Sequence, residues 1–130
     1  PGCRLIPIVA RDGSAWHIIA GKTANDNDFL SMKEGRPHEA WMHVAGVPGS
    51  HVIIRESGQE SGASPPHDVI ESAAGIAVFY SKAKGTTATV HVTTCGKVTK
   101  QAGAPTGQVL LRGRFKTLKA RSLDPAEIRK

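Results

Sequence analysis

His43 and His51 stand eight positions apart, with Trp41, Ser50 and Arg55 close by in sequence, and imidazoles in that company can do three kinds of chemistry. As metal ligands they need a third donor, and His17, His91, Cys95 or a carboxylate would supply it at no recognisable spacing. As a nucleophile and its base, Ser50 and His51 are poorly placed, because neighbouring residues of a strand point to opposite faces. As donors to phosphate, or as rings that stack on bases beside Trp41, they need no further constellation. Half-buried packing is the plain alternative. The run Val47-Pro48-Gly49-Ser50 is equally two-sided: its backbone N–H groups and the Ser50 hydroxyl can form an anion nest or simply turn the chain.

Other chemistries lack their residues. There is no G-x-x-x-x-G-K-[ST], G-x-G-x-x-G or G-x-S-x-G run, so phosphate-loop, dinucleotide-binding and nucleophile-elbow enzymes lose their warrant. Gly46-Val47-Pro48-Gly49 has the letters of the nucleotide-clamping G-x-x-G loop, but that loop joins two helices and this one joins two strand-like runs. No cofactor and no metal is expected. Cys3 and Cys95 have no close cysteine partner, which excludes a zinc ribbon or a C-x-x-C pair and fits free thiols in a reducing compartment. With no apolar run near the ~20 residues of a membrane span, the expectation is a cytoplasmic protein that avoids the membrane.

Charge is distributed unevenly. Residues 1–80 carry 6 Lys and Arg against 9 Asp and Glu, whereas residues 81–130 carry 11 against 2. No acidic residue occurs between Glu71 and Asp124, a stretch that holds Lys82, Lys84, Lys97, Lys100, Arg112, Arg114, Lys116, Lys119 and Arg121. Such a one-sign field attracts polyanions, or else serves as a solubilising surface.

The elements that must position these groups follow from period and punctuation. The 130 residues predict one α+β domain with a core over about 12–120, a tail over 121–130, and a mostly antiparallel sheet built from hairpins. Strand patterns run over 15–20, 40–44, 51–55, 87–94, 97–100, 108–111 and 115–120. Thr23 caps a short helix near 23–33. The main helix spans about 66–83, capped by Ser64 and packed on the sheet through Ala73, Ala74, Gly75 and Ala77, with Lys82 and Lys84 in its last turn. Between 44 and 51, Pro48 and Gly49 suit a type II turn with positive φ at the glycine. Pairing His43 with His51 then sets Trp41 against Ile53 and Met42 against Val52. The wholly apolar face of Met42, Val44, Val52 and Ile54 belongs to the core, which sends His43, His51 and Arg55 to the other side.

The run Trp41-Met42-His43-Val44, followed by Val47-Pro48-Gly49-Ser50-His51-Val52-Ile53-Ile54-Arg55, resembles the signature W-x-H-V…PGSHVIIR of the NFACT-R domain. Gly21-Lys22-Thr23 with Asn27-Asp28, Phe79-Tyr80-Ser81-Lys82-Ala83-Lys84, and Lys97-Val98-Thr99-Lys100 with Gly107 resemble further family motifs in the same order. The resemblance runs from about Asp12 to Ala120. It implies an RNA-binding module with tRNA or ribosomal RNA as partner, the ribosome as the setting, and a link to ribosome-associated quality control. Lys22 and Thr23 stand where the family favours Arg and Asn, so position 22 keeps its charge and loses the bidentate fork.

The resulting expectation is a sequence-tolerant RNA binder. Lys22, Arg55, Lys82, Lys84, Lys97 and Lys100 neutralise phosphates around a polar centre of His43, Ser50 and His51. About five phosphates engaged would give a log–log salt slope near −3.5 for single strands. Two rivals stay open: a subunit or domain of an RNA-modifying enzyme system centred on the two histidines, and a protein-interaction module on a ribosomal partner. No catalytic residues are assigned.

Overall fold

The computed structural model describes residues 2–58 and 61–128. Of the expected loop over 56–64, residues 59 and 60 lie outside the described residues, as do the last two residues of the tail. The fold is α+β. Its antiparallel sheet has six strands, β1 (Cys3–Val9), β2 (Ala15–Gly21), β3 (Ala40–Val44), β4 (Val52–Glu56), β5 (Thr87–Thr94) and β8 (Lys116–Arg121), in the order β1-β2-β4-β3-β5-β8. Two short strands, β6 (Val98–Thr99) and β7 (Leu110–Leu111), pair separately. Helix α1 (Ala24–Phe29) continues as a π-helical turn over Leu30–Glu34, and α2 (His67–Phe79) is the long helix.

Alternation along the strands divides the apolar residues between two clusters. Met42, Val44, Val52 and Ile54 face α2 and are essentially buried there with Val69, Ala73, Ile76 and Ala77. The expected register holds, with Trp41 opposite Ile53 and Met42 opposite Val52. On the reverse face Ile19, Trp41 and Ile53 form a second cluster with Leu30, Cys95 and Val98. That face is therefore covered too, by the α1 segment and the β6–β7 lobe. Burial pushes the Cys95 thiol up to about 12, with the nearby Glu39 carboxylate acting in the same direction, so it stays a protonated, inert side chain.

Several expectations are corrected. Strand β1 was not anticipated: Pro7 interrupts its pattern, but β1 is an edge strand with β2 as its one neighbour, and the missing N–H costs no ladder bond there. Helix α2 stops at Phe79 rather than 83, because the chain beyond it is claimed by the 46–50 connection: Ser50 N–H donates to Tyr80 O and Lys82 N–H to Pro48 O. Lys82 and Lys84 thus lie past the helix and not in its last turn. Pro66, with no side-chain cap, occupies the N-cap position expected of Ser64. Positive φ falls on Gly46 and not Gly49; Gly49 is required by space, since a Cβ there would sit 2.7 Å from Ser81 Cβ. At Gly75 a Cβ would sit 2.8 Å from Arg121 O, so the close helix-to-sheet approach expected of the small residues is made there. Thr23 caps α1 as expected, completing a reciprocal capping box with Asp26. The packed elements reach beyond 12–120 at both ends, from Cys3 to the half-buried Ile128.

Candidate nucleic-acid interface

The C-terminal ends of β2, β3 and α2 and the N-terminal ends of β4 and β5 meet at one end of the sheet. Asn27 is the fastening there. Its Oδ1 accepts the His51 N–H at 3.0 Å and its Nδ2 donates to Gly49 O at 3.4 Å. Gly21 must be a glycine beside it, because a Cβ would lie 2.1 Å from that same Oδ1. Ser50 is tied down as well: its hydroxyl donates to Gly21 O at 2.5 Å and its N–H to Tyr80 O. No N–H or O–H hydrogen of Ser50 is left over for a phosphate, so Ser50 does not supply the donors of an anion nest.

Behind this seam, Ser31 links two rings. Trp41 Nε1 donates to Ser31 Oγ at 2.8 Å, and Ser31 Oγ lies 2.6 Å from His51 Nδ1. An indole can only donate, so the serine oxygen accepts that bond. The assignment that leaves no hydroxyl hydrogen idle directs it to Nδ1 and places the imidazole proton on Nε2. Burial of His51, reinforced by the neighbouring His43, pulls its pKa from 6.5 to about 4; Asp28 and the backbone of Asn27 and Gly107 oppose this less strongly. His43 is lowered by burial and then by His91, against a weaker contribution from Gly49. Both rings are therefore neutral at pH 7.

The imidazoles form a row across the sheet. The His51 and His43 rings meet edge to face at 5.3 Å, and His43 pairs directly with His91 on β5. The row floors an open cleft of about 940 Å³. Lys22, just past the end of β2, Lys82 and Arg4 of β1 rim it, and Tyr80 joins its wall with the Arg4 guanidinium stacked 4.2 Å from its centroid. Exposed Lys84 sits 4.2 Å over the ring of Phe79, another lining residue. None of these four cations forms an ion pair among the described residues.

Of the residues singled out from sequence, Lys22, His43, Ser50, His51 and Lys82 meet in this cleft and Lys84 stands beside it. Three others do not. Arg55, toward the far end of β4, is held by Glu39 and Glu34 at 2.6–2.8 Å. Lys100 is anchored to Asp28 at 3.1 Å and to the carbonyls of Pro105 and Gln108. Lys97 is exposed in the turn after β5, outside the cleft. Arg4, Asn27 and His91 complete the site without having been singled out for it. Arg4 lies on the unanticipated strand, and His91 reaches His43 only through the non-sequential pairing of β3 with β5. Asn27 did have a signal, since it fell inside one of the matched motifs.

Among the described residues no group of three or more His, Cys, Asp or Glu side chains stands close enough to hold a metal ion. What the arrangement offers is a recess lined by rings behind a rim of cations that form no ion pair among the described residues, suited to an anionic partner that also carries flat surfaces.

Comparison with known proteins gives a consistent picture. Residues 9–118 match the family described as the NFACT protein RNA binding domain. The chain is 36% identical over 97 residues to the Rqc2 homolog RqcH of Bacillus subtilis, covering 74% of this chain and 16% of that protein. It is 34% identical over 112 residues to the Rqc2 homolog RqcH of Streptococcus suis, covering 85% and 19%. The chain thus spans less than a fifth of the length of these relatives. Among solved structures, the C-terminal part of the fibronectin/fibrinogen-binding protein from Streptococcus suis superposes with a TM-score of 0.77 at 30% identity, over 95% of this chain and 47% of that one.

Proposed function

This chain belongs to the NFACT RNA-binding domain family, and from that premise we propose that it grips RNA through the cleft at the end of the sheet, with tRNA or ribosomal RNA as its target and ribosome-associated quality control as its setting. The observation that carries the reading is the placement of Arg4, Lys22, Lys82 and Lys84 around one recess, none of them in an ion pair among the described residues. A cation already paired gains little from a phosphate, because the new contact must first break the old one. On this ground Arg55 and Lys100 are supporting groups of the fold, and the phosphate contacts fall to the four cations at the rim.

The setting rests on the two Rqc2 homologs, whose matched portion is the portion this chain shares. Fluorescence anisotropy with labelled tRNA and with ribosomal RNA fragments, titrated over a range of salt, tests the reading. With three to four phosphates engaged, log affinity falls against log salt with a slope of about −2 to −3, shallower than the sequence alone suggested because two of the expected cations are already paired. Affinity that does not respond to salt would contradict it.

A further inference from the structure

Phosphate contacts alone require a charged surface, not a recess. Here the recess of about 940 Å³ lies in the range of cavities that enclose small organic molecules, and rings make up much of its wall. Trp41, His43, His91 and Tyr80 all line it. His43 is neutral at pH 7, so its ring can be covered by an apolar face without burying a charge. Outside the recess the ring surface continues: Phe115 packs on His91 at a centroid distance of 4.6 Å and is 43% exposed, an aromatic group that the core does not use.

We propose that the cleft seats one unpaired nucleotide, its base against the His43–His91 wall and its flanking phosphates on Lys22 and Lys82, while Phe115 receives a neighbouring base. The inference rests on the RNA-binding reading above and specifies the form of RNA recognised. Inside a helix a base shows only its edges, and its faces are taken by its neighbours; a ring at the bottom of a recess cannot reach them. A bulged, looped or terminal nucleotide presents both faces, and such bases are what aromatic side chains stack on. A duplex meets the rim alone.

The test compares three hairpin RNAs of the same stem: one with a single bulged nucleotide, one with an abasic residue at the bulge, and one fully paired. The bulged hairpin binds at least tenfold more tightly than the other two. With 2-aminopurine as the bulged base, its fluorescence changes on binding as it stacks in the recess. His43→Ala and, independently, His91→Ala shrink the preference to below threefold. Equal affinity for all three hairpins, each weakened by Lys82→Glu, overturns the nucleotide site and leaves RNA binding by the rim intact. Absence of binding to any hairpin at low salt overturns both.

Discussion

Arg55 Nε and Nη2 reach the two carboxylate oxygens of Glu39 at 2.7 and 2.8 Å, while Nη1 holds Glu34 at 2.6 Å. The Glu39 side chain is 3% exposed, so its charge depends on this fork. Burial alone would raise its pKa; hydrogen bonds from Arg55 and from the Arg36 N–H, with the Arg55 and Arg36 charges, hold it below the usual carboxylate value instead. Arg55→Ala leaves a buried carboxylate without its principal partner. Urea denaturation should show a loss of about 3 kcal/mol, with RNA affinity of the folded protein changed less than threefold. A large loss of affinity without loss of stability would place Arg55 in the interface after all.

Ser31 is the shared partner of Trp41 and His51. Ser31→Ala strands a buried indole N–H and a buried imidazole nitrogen, each at about 1–3 kcal/mol. Thermal and urea melts should show a loss of about 2–4 kcal/mol, whereas Ser31→Thr, which keeps the hydroxyl, should recover part of it.

The depressed pKa of His51 makes stability depend on pH. A free imidazole in the unfolded chain takes up its proton near 6.5, whereas the folded one does so only near 4. Above pH 6.5 neither state carries that proton and the full contribution of the neutral ring is present. As pH falls from 6.5 toward 4 the unfolded state binds it first, and stability drops by roughly 2–3 kcal/mol. His43 adds to the fall in the same direction. Glu39 acts later: its stabilisation is complete above the unfolded carboxylate value and is lost as pH drops through its lowered one. Melts between pH 7.5 and 4 check this, and a variant carrying His51→Asn should show a shallower decline above pH 4.5.

The sequence made the β3–β4 hairpin legible in detail, because Met42, Val44, Val52 and Ile54 leave one register that hides them all. Helix α2 and the Thr23 cap were legible for similar local reasons. What escaped was non-local. The strand order places β3 between β4 and β5, so His91 meets His43 across 47 intervening residues, a pairing no periodicity announces. Glu39 lies 16 residues before Arg55, and nothing in that spacing signals a buried fork. Charge counting therefore gathered cations that the folded chain separates into paired ones, at Arg55 and Lys100, and ones around the cleft that form no ion pair among the described residues.

On the proposed function, position rather than total charge selects the cations that hold RNA. Two double variants with the same charge change decide it: Lys22→Glu with Lys82→Glu at the cleft, and Lys33→Glu with Lys97→Glu, two exposed lysines away from it. Measured side by side for RNA affinity at fixed salt, the cleft pair should weaken binding at least tenfold more than the distant pair. Equal weakening by both would show that a diffuse basic surface, and not this cleft, binds the RNA.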